Sequence, residues 1–440
     1  MSQYKPYAAY KDSGVEWLGR VPEHWECARF DAKTITHRDS IEADRLNGLR
    51  VMHYSIPAVQ EHGCAQEEDG SEIDSNKLVV RQRQLLVSKL NPHKQTLVVA
   101  DSSDSRLAIA STEFVPLIPV AADLGYITYI WSSAYCQHYL LARCESSTRS
   151  HQRVAPSDIT RMSWVWPDLD EQAAIARALD HETARIDALI EKKTRFIELL
   201  REKRQALITQ AVTKGLDRSV KMKDSGVEWL GEVPEHWSFG RLAYACELIV
   251  DGTHHSPESY PEGAFKYITA KNIKEHGFDF TELTYLSADQ HQEIYSRCSV
   301  KAGDVLYIKD GATAGVAMVN YLDEEFSLLS SVAVIRPKKK RLLSEYLAYL
   351  LNSGGFKTSV LSRLVGGAIT RFTLEMIGNF SVSLPSIEEQ RQVVAHLEGI
   401  VPRLDVLKGK TERSIELLKE RRSALITAAV TGQIDLREAV

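Results

Sequence analysis

Asn91-Pro92-His93-Lys94 is the nearest this 440-residue chain comes to the Asn/Asp-Pro-Pro-aromatic sequence with which adenine methyltransferases hold a target amino group. It lacks both the second proline and the aromatic, and a turn is the simpler reading. Gly311 to Ala317 (GATAGVA) is glycine-rich. Without the Gly-Lys-Ser/Thr ending that sets an ammonium and a hydroxyl on phosphates and magnesium, it is not a phosphate loop. His254-His255 and nearby His291 offer imidazoles, but no HExxH and no paired cysteines complete a metal set, so a loop role is favoured. No GxSxG marks a nucleophile elbow, although spacing alone leaves a dispersed Ser-His-Asp triad open. No catalytic residue, metal ligand or cofactor site is assigned; the pattern suits a reader better than a catalyst.

The elements that must position any such reader are repeated. Lys11 to Trp25 reads KDSGVEWLGRVPEHW and Lys223 to Trp237 reads KDSGVEWLGEVPEHW, differing only at Arg20 and Glu232. IELLREKRQALITQAVT (Ile197 to Thr213) returns as IELLKERRSALITAAVT (Ile415 to Thr431), 218 positions later. The order tag, variable region, long helix therefore occurs twice, a tandem duplication. Glu171 to Gly215 predicts the first long helix. Apolar residues return at Ile175, Leu179, Ile186, Leu189, Phe196, Leu200 and Leu207 in steps of three and four, with no proline between them. About 43 residues make a rod of roughly 65 Å. In the second copy Gly399, Pro402 and Gly409 interrupt the pattern, which predicts a kink or break near Gly399 to Pro402 and a resumption at Arg403. A helix with an apolar stripe must bury it, and two copies bury it most simply against each other, antiparallel. Glu182 and Lys203, left on the seam, suit a rod that also meets other subunits.

Between tag and helix the halves share a skeleton of predicted strands, Leu85 to Lys89 with Val305 to Lys309 and Phe114 to Pro119 with Val332 to Pro337. A short helix follows (125–133, 345–353), then a Thr-Arg pair and a last strand ending at Pro167 or Pro385, with Asp168 and Ser386 as N-caps. The expected fold class is α+β: two mixed α/β globules separated by an antiparallel two-helix coiled coil, a pseudo-two-fold tandem duplication. Its expected divisions are 1–167, 168–217, 218–385 and 386–440. The net charge of −5 excludes a surface uniformly coated for nucleic acid, so any such face is local. Six cysteines without a CxxC pair argue for a reducing cytoplasm, and no apolar run approaches the roughly 18 residues of a membrane span.

The duplicated tag, GDVLYIKDGATAG (303–315), GGAITRFTLEMIGNFSVSLPSIEEQ (366–390) and the repeated helix resemble the DNA-specificity subunit of Type I restriction-modification systems, over essentially the whole chain. In the first half SSTRSHQRVAPSDI (146–159) departs from the glycine-rich wording. The resemblance implies target recognition domains that each read one half of a split, asymmetric double-stranded DNA sequence. It also implies a coiled coil that sets the spacing and docks two methyltransferase (M) subunits, with restriction (R) subunits joining. A partner carrying methylase and nuclease on one chain is a close variant. A structural adaptor with protein-binding globules is the alternative from another class.

Phosphates attract Lys and Arg whatever the sequence, whereas base edges are read by Arg, Lys, Asn, Gln, Ser and Thr. The pairs Thr148-Arg149 and Thr370-Arg371 recur in otherwise divergent halves, which suits phosphate positioning; Lys89 and Lys309 are also equivalent. Base readers belong where the halves differ: Ser102, Ser103 and Arg106 in the first, Lys271, Asn272 and Thr313 in the second. Arg336 to Arg341 (RPKKKR) is a candidate phosphate strip, more often a solvated run. Trp17, Trp25, Trp229 and Trp237, identical in both tags, are expected to pack rather than to stack on bases.

Overall fold

The computed structural model describes residues 4–15, 17–102, 106–146, 152–227, 229–362 and 371–437. The chain divides into two units, Met1–Thr194 with Arg413–Val440, and Arg195–Glu412. This division cuts across both long helices, so each unit holds the start of one and the end of the other. The helices run Leu169–Lys214 and Ile387–Val430. Asp168 and Ser386 accept hydrogen bonds from the backbone N–H of Glu171 and Glu389 (2.8 and 3.2 Å), capping the orphan donors of the first turn.

In the first unit the order of one sheet is Leu97–Ala100, Gln84–Ser88, Phe114–Pro119, Thr34–Ile35; in the second it is Ala317–Val319, Val305–Ile308, Val332–Pro337, Cys246–Asp251. A second sheet lies beside each, five-stranded in the first unit and three-stranded in the second. Below the tag, Glu26–Arg29 pairs antiparallel with Ser163–Trp166, and Ser238–Arg241 with Ser381–Leu384. The strands that precede each long helix are therefore tied to the tag that opens the unit.

The repeated Pro-Glu-His-Trp of the tag has a structural task. His24 and the Trp25 indole N–H meet Glu171 at 2.8 and 3.3 Å; His236 and the Trp237 indole N–H meet Glu389 at 2.7 and 3.2 Å. The tag thereby clamps the first-turn glutamate of each long helix, where a carboxylate also complements the helix dipole. All four tag tryptophans pack: Trp25 and Trp237 are buried, Trp17 lies 5.5 Å from Trp164, and Trp229 lies 5.3 Å from Phe356.

Each unit also grips the far end of the other helix copy. The Tyr126 hydroxyl donates to the Val430 carbonyl (3.4 Å) in the first unit; the Tyr346 hydroxyl donates to the Val212 carbonyl (3.1 Å) in the second. Within the first unit Arg422 pairs with Asp187 at 3.0 Å, and within the second Arg204 pairs with Asp405 at 3.2 Å and Arg201 with Glu412 at 3.7 Å. As the number rises along one helix it falls along its partner, so the pairing is antiparallel.

Two expectations are corrected. Leu189 and Phe196 are exposed, while Ile197 and Ile208 take buried positions beside the expected Leu200; a straight helix drifts against a strict heptad, so the stripe changes residues along its length. Of the kink or break expected near Gly399 to Pro402, the break does not occur, since Ile387–Val430 is one continuous helix. Pro402 lies inside it, and the lost backbone bond is offset by burial of Leu397 and Val401 in the core of the second unit. No helix among the described residues is long and apolar enough to cross a membrane.

Candidate nucleic-acid interface

The strand Val305–Ile308 ends at Lys309, whose N–H donates to the Ser331 carbonyl (2.8 Å) and whose carbonyl accepts from the Phe372 N–H (2.8 Å). Asp310 and Arg371 then face each other across an isolated antiparallel bridge. Asp310 is therefore held between two cations, with one carboxylate oxygen 3.4 Å from Lys309 Nζ and the other 3.4 Å from Arg371 Nε. Arg371 is 57% exposed. Thr313 is exposed in the loop that follows, its carbonyl accepting from the Val316 N–H. Lys309, Thr313 and Arg371, nominated separately, are thus carried by the loop after this strand and the segment bridged to it.

Lys309 does not offer its charge to a ligand. It is 2% exposed, and its ammonium also lies 3.3 Å from Asp251. An ammonium between two carboxylates is compensated where it stands, and moving it to a phosphate would strand both acids. Lys309 supports the loop instead.

The first unit repeats the arrangement. The Lys89 N–H donates to the Glu113 carbonyl (3.0 Å), the Lys89 carbonyl accepts from the Val154 N–H (3.0 Å), and Leu90 bridges Arg153. Glu113 puts one oxygen 4.0 Å from Lys89 Nζ and the other 3.0 Å from Arg153 Nη2. By backbone pairing Arg153, not Arg149, is the counterpart of Arg371. The signal was in the sequence: Arg153 to Pro167 aligns without a gap on Arg371 to Pro385 at a shift of 218, the shift that relates the long helices. The two Thr-Arg pairs match only at a shift of 222, four residues out of that register. Thr148, Arg149 and Thr370, like Ser103, lie outside the described residues.

The other nominated residues lie elsewhere. Asn272 is 2% exposed; its side-chain carbonyl accepts from the Thr269 N–H (3.0 Å) and its amide donates to the Asp279 carbonyl (3.0 Å). With both ends of its amide engaged inside the fold, it shapes the loop and does not read bases. Lys271 beside it is exposed, 3.3 Å from Glu282. In the first unit the Ser102 hydroxyl donates to the Arg81 carbonyl (2.8 Å), and Arg106 pairs with Glu67. Within RPKKKR, Arg336 is spent on Asp304 at 2.7 Å, and Lys338 and Arg341 both reach the Tyr244 carbonyl.

His291 is buried against Phe265, ring centroids 3.9 Å apart, with its Nδ1 3.0 Å from Ser327 Oγ. Among the described residues no cluster of His, Cys, Asp and Glu could hold a metal ion. The second unit has a cavity of about 690 Å³ beside the second long helix, lined by Tyr349, Glu398, Pro402 and Asp405 among others, and none of the nominated residues reaches it. At its edge Glu275 lies 2.6 Å from Lys357 and 3.0 Å from Arg204. Burial opposes its ionisation, but these two cations outweigh burial and hold its carboxyl below the usual glutamate range.

Residues 234–417 match the family described as the Type I restriction modification DNA specificity domain. The chain is similar to the Type I restriction enzyme MjaVIII specificity subunit of Methanocaldococcus jannaschii, 24% identical over 275 residues that cover 62% of each chain. It is also similar to the Type I restriction enzyme EcoBI specificity subunit of Escherichia coli, 24% identical over 61% of this chain and 57% of that one. The chain thus spans about three fifths of the length of these relatives. One solved chain, from work on complex assembly and conformational transition of the type I R-M system, is alike in fold at a TM-score of 0.74, with 18% identity over 93% of this chain and 98% of that one. The crystal structure of the HsdS subunit from Thermoanaerobacter tengcongensis is alike in fold at 0.52, with 18% identity over 94% and 98%.

Proposed function

We propose that this chain, whose residues 234–417 belong to the Type I restriction modification DNA specificity domain family, is the non-catalytic DNA sequence-specificity subunit of a Type I restriction-modification enzyme. Each unit reads one half of a bipartite, asymmetric duplex target. Two methyltransferase (M) subunits and the restriction (R) subunits carry the chemistry, in the cytoplasm. The observation that carries this reading is the duplication: the half that matches the family is repeated in the other, with the same sheet order, tag clamp and Lys–carboxylate–Arg placement.

Duplicated positions that stay the same cannot tell two half-sites apart, so they suit phosphate positioning. Positions that differ suit base reading; the exposed Lys271 and Thr313 in the second unit and the half-buried Ser102 and Arg106 in the first remain the candidates. The test is selection of duplexes from a random-sequence pool by the full chain with its methyltransferase. Enrichment of a two-part motif is expected. A pool that stays random, with no salt-dependent DNA binding, refutes the reading and favours a protein-binding adaptor.

A further inference from the structure

We infer that Arg153 and Arg371 are the paired phosphate clamps of the two units, each aimed by a carboxylate that bridges it to a lysine behind. This rests on the DNA-reading function proposed above and adds to it a residue pair and a role.

The argument starts from a substitution within the duplication. In the first unit the bridging acid is Glu113, paired through its carbonyl with the lysine backbone; the residue in that place in the second unit is Ser331. In the second unit the bridging acid is Asp310, and the residue in that place in the first is Leu90. The acid has changed strand, yet the product is the same. One oxygen faces the lysine (4.0 and 3.4 Å), the other faces the arginine (3.0 and 3.4 Å), and the two guanidinium side chains are 58% and 57% exposed. A carboxylate kept only for packing would not have to reappear from a different backbone position with its two oxygens divided in the same way. What is preserved across the diverged halves is an exposed arginine beside a carboxylate that also faces a lysine, hydrogen-bonded to it in the first unit (3.0 Å) and ion-paired at 3.4 Å in the second.

Arginine is the side chain whose planar fork matches a phosphate with two parallel hydrogen bonds, and a fork already oriented loses less rotamer freedom on binding. The lysines stay behind as counter-charges. In the second unit Asp251 also faces Lys309, from a strand of six residues where the first unit has only the two-residue Thr34–Ile35; this covers Lys309 more completely than Lys89. The arginines are therefore equivalent in exposure although the lysines behind them are not. Because both units hold the same residue beside a carboxylate shared with a lysine, the contact carries no base information. It sets where each unit sits on the duplex.

The experiment uses the full chain and a mixed-sequence DNA duplex, with affinity measured over a range of salt concentrations. Each phosphate contact steepens the negative slope of log K against log salt by about 0.9. R153Q and R371Q are each expected to make that slope shallower by about 0.9, and the double variant by about 1.8, while the motif selected from random DNA stays unchanged. R153K and R371K, which keep a point charge, are expected to restore it. Wild-type slope in the double glutamine variant overturns the inference, as does a slope that lysine does not restore, or a change of one selected base in place of a change in slope. A wild-type chain that binds no DNA removes the proposed function itself; wild-type binding with unaltered variant slopes removes only this inference.

Discussion

Lys309→Met is expected to loosen the second unit far more than Lys89→Met loosens the first, although the two lysines occupy the same place in the duplication. Lys309 is 2% exposed and lies 3.3 and 3.4 Å from Asp251 and Asp310, whose side chains are only 11% and 20% exposed. Its removal leaves two partly buried acids without their common cation, and breaking a buried pair from one side costs about 3–5 kcal/mol. Lys89 is 24% exposed and stands 4.0 Å from Glu113, which keeps Arg153 at 3.0 Å; a pair of that kind contributes about 0–1 kcal/mol. The measurement has to be local, because the chain holds two units. Amide hydrogen exchange reports opening free energies strand by strand. At about 1.4 kcal/mol per tenfold, K309M should speed exchange in Val305–Ile308 on the order of a hundredfold or more, and K89M should speed it in Gln84–Ser88 by about fivefold at most. Adding Asp251→Asn to K309M removes one stranded acid and should recover part of the loss, a coupling that a double-mutant cycle reads directly. Equal acceleration by the two lysine variants, or no recovery with D251N, would refute the reasoning. Since the Lys309 ammonium faces inward, K309M should also leave the salt slope of DNA binding unchanged.

Acid should weaken the second unit through Glu275. Its folded carboxyl titrates below the unfolded one, so its contribution is present above the unfolded value of about 4.3 and is lost as pH falls through the lower folded value; Glu275→Gln should flatten the acid limb of unfolding, and an unaltered limb would count against the network. Gly432 holds φ +70°, and a Cβ there would fall 2.2 Å from Pro22 Cδ, whereas one at Gly215 (φ +71°) would meet Trp237 at 3.2 Å. Both Gly→Ala changes cost about 1–2 kcal/mol for the left-handed backbone, and G432A should cost more in a urea midpoint, since rigid proline atoms must move. Replacing the residues before Pro167 by those of a relative with another specificity should change one half-site of the selected motif; a change in both would argue against independent readers.

Much of this architecture is written in one dimension. The tags, the helix span, the strands 84–88, 305–308, 114–119, 332–337, 163–166 and 381–384, and the N-caps Asp168 and Ser386 follow from local pattern and from repetition, because period, β-branched content and capping chemistry act over a few neighbouring residues. Antiparallel helix pairing follows from two apolar stripes in one chain that need each other. Beyond Ile186 the seam followed only in part: Leu200 is buried as its spacing predicts, but Leu189 and Phe196 are not, because small departures from the heptad accumulate along a long straight helix and only packing decides that Ile197, and not Phe196, turns inward.

Side-chain roles at the candidate interface divide in the same way. The sequence by itself placed Lys89 and Lys309 at equivalent strand ends, since that assignment needed only the repeat; the bridge between Asp310 and Arg371 that brings Arg371 beside Lys309 came from the fold. Tertiary structure decided that Lys309 is enclosed by Asp251, that Asn272 spends its amide on Asp279 and Thr269, and that Arg153 stands where Arg371 stands. Each of those depends on what a distant strand brings alongside. The bridging acid makes the point most plainly: Glu113 and Asp310 occupy different places in the repeat, and only the pairing of strands carries both to the same point in space.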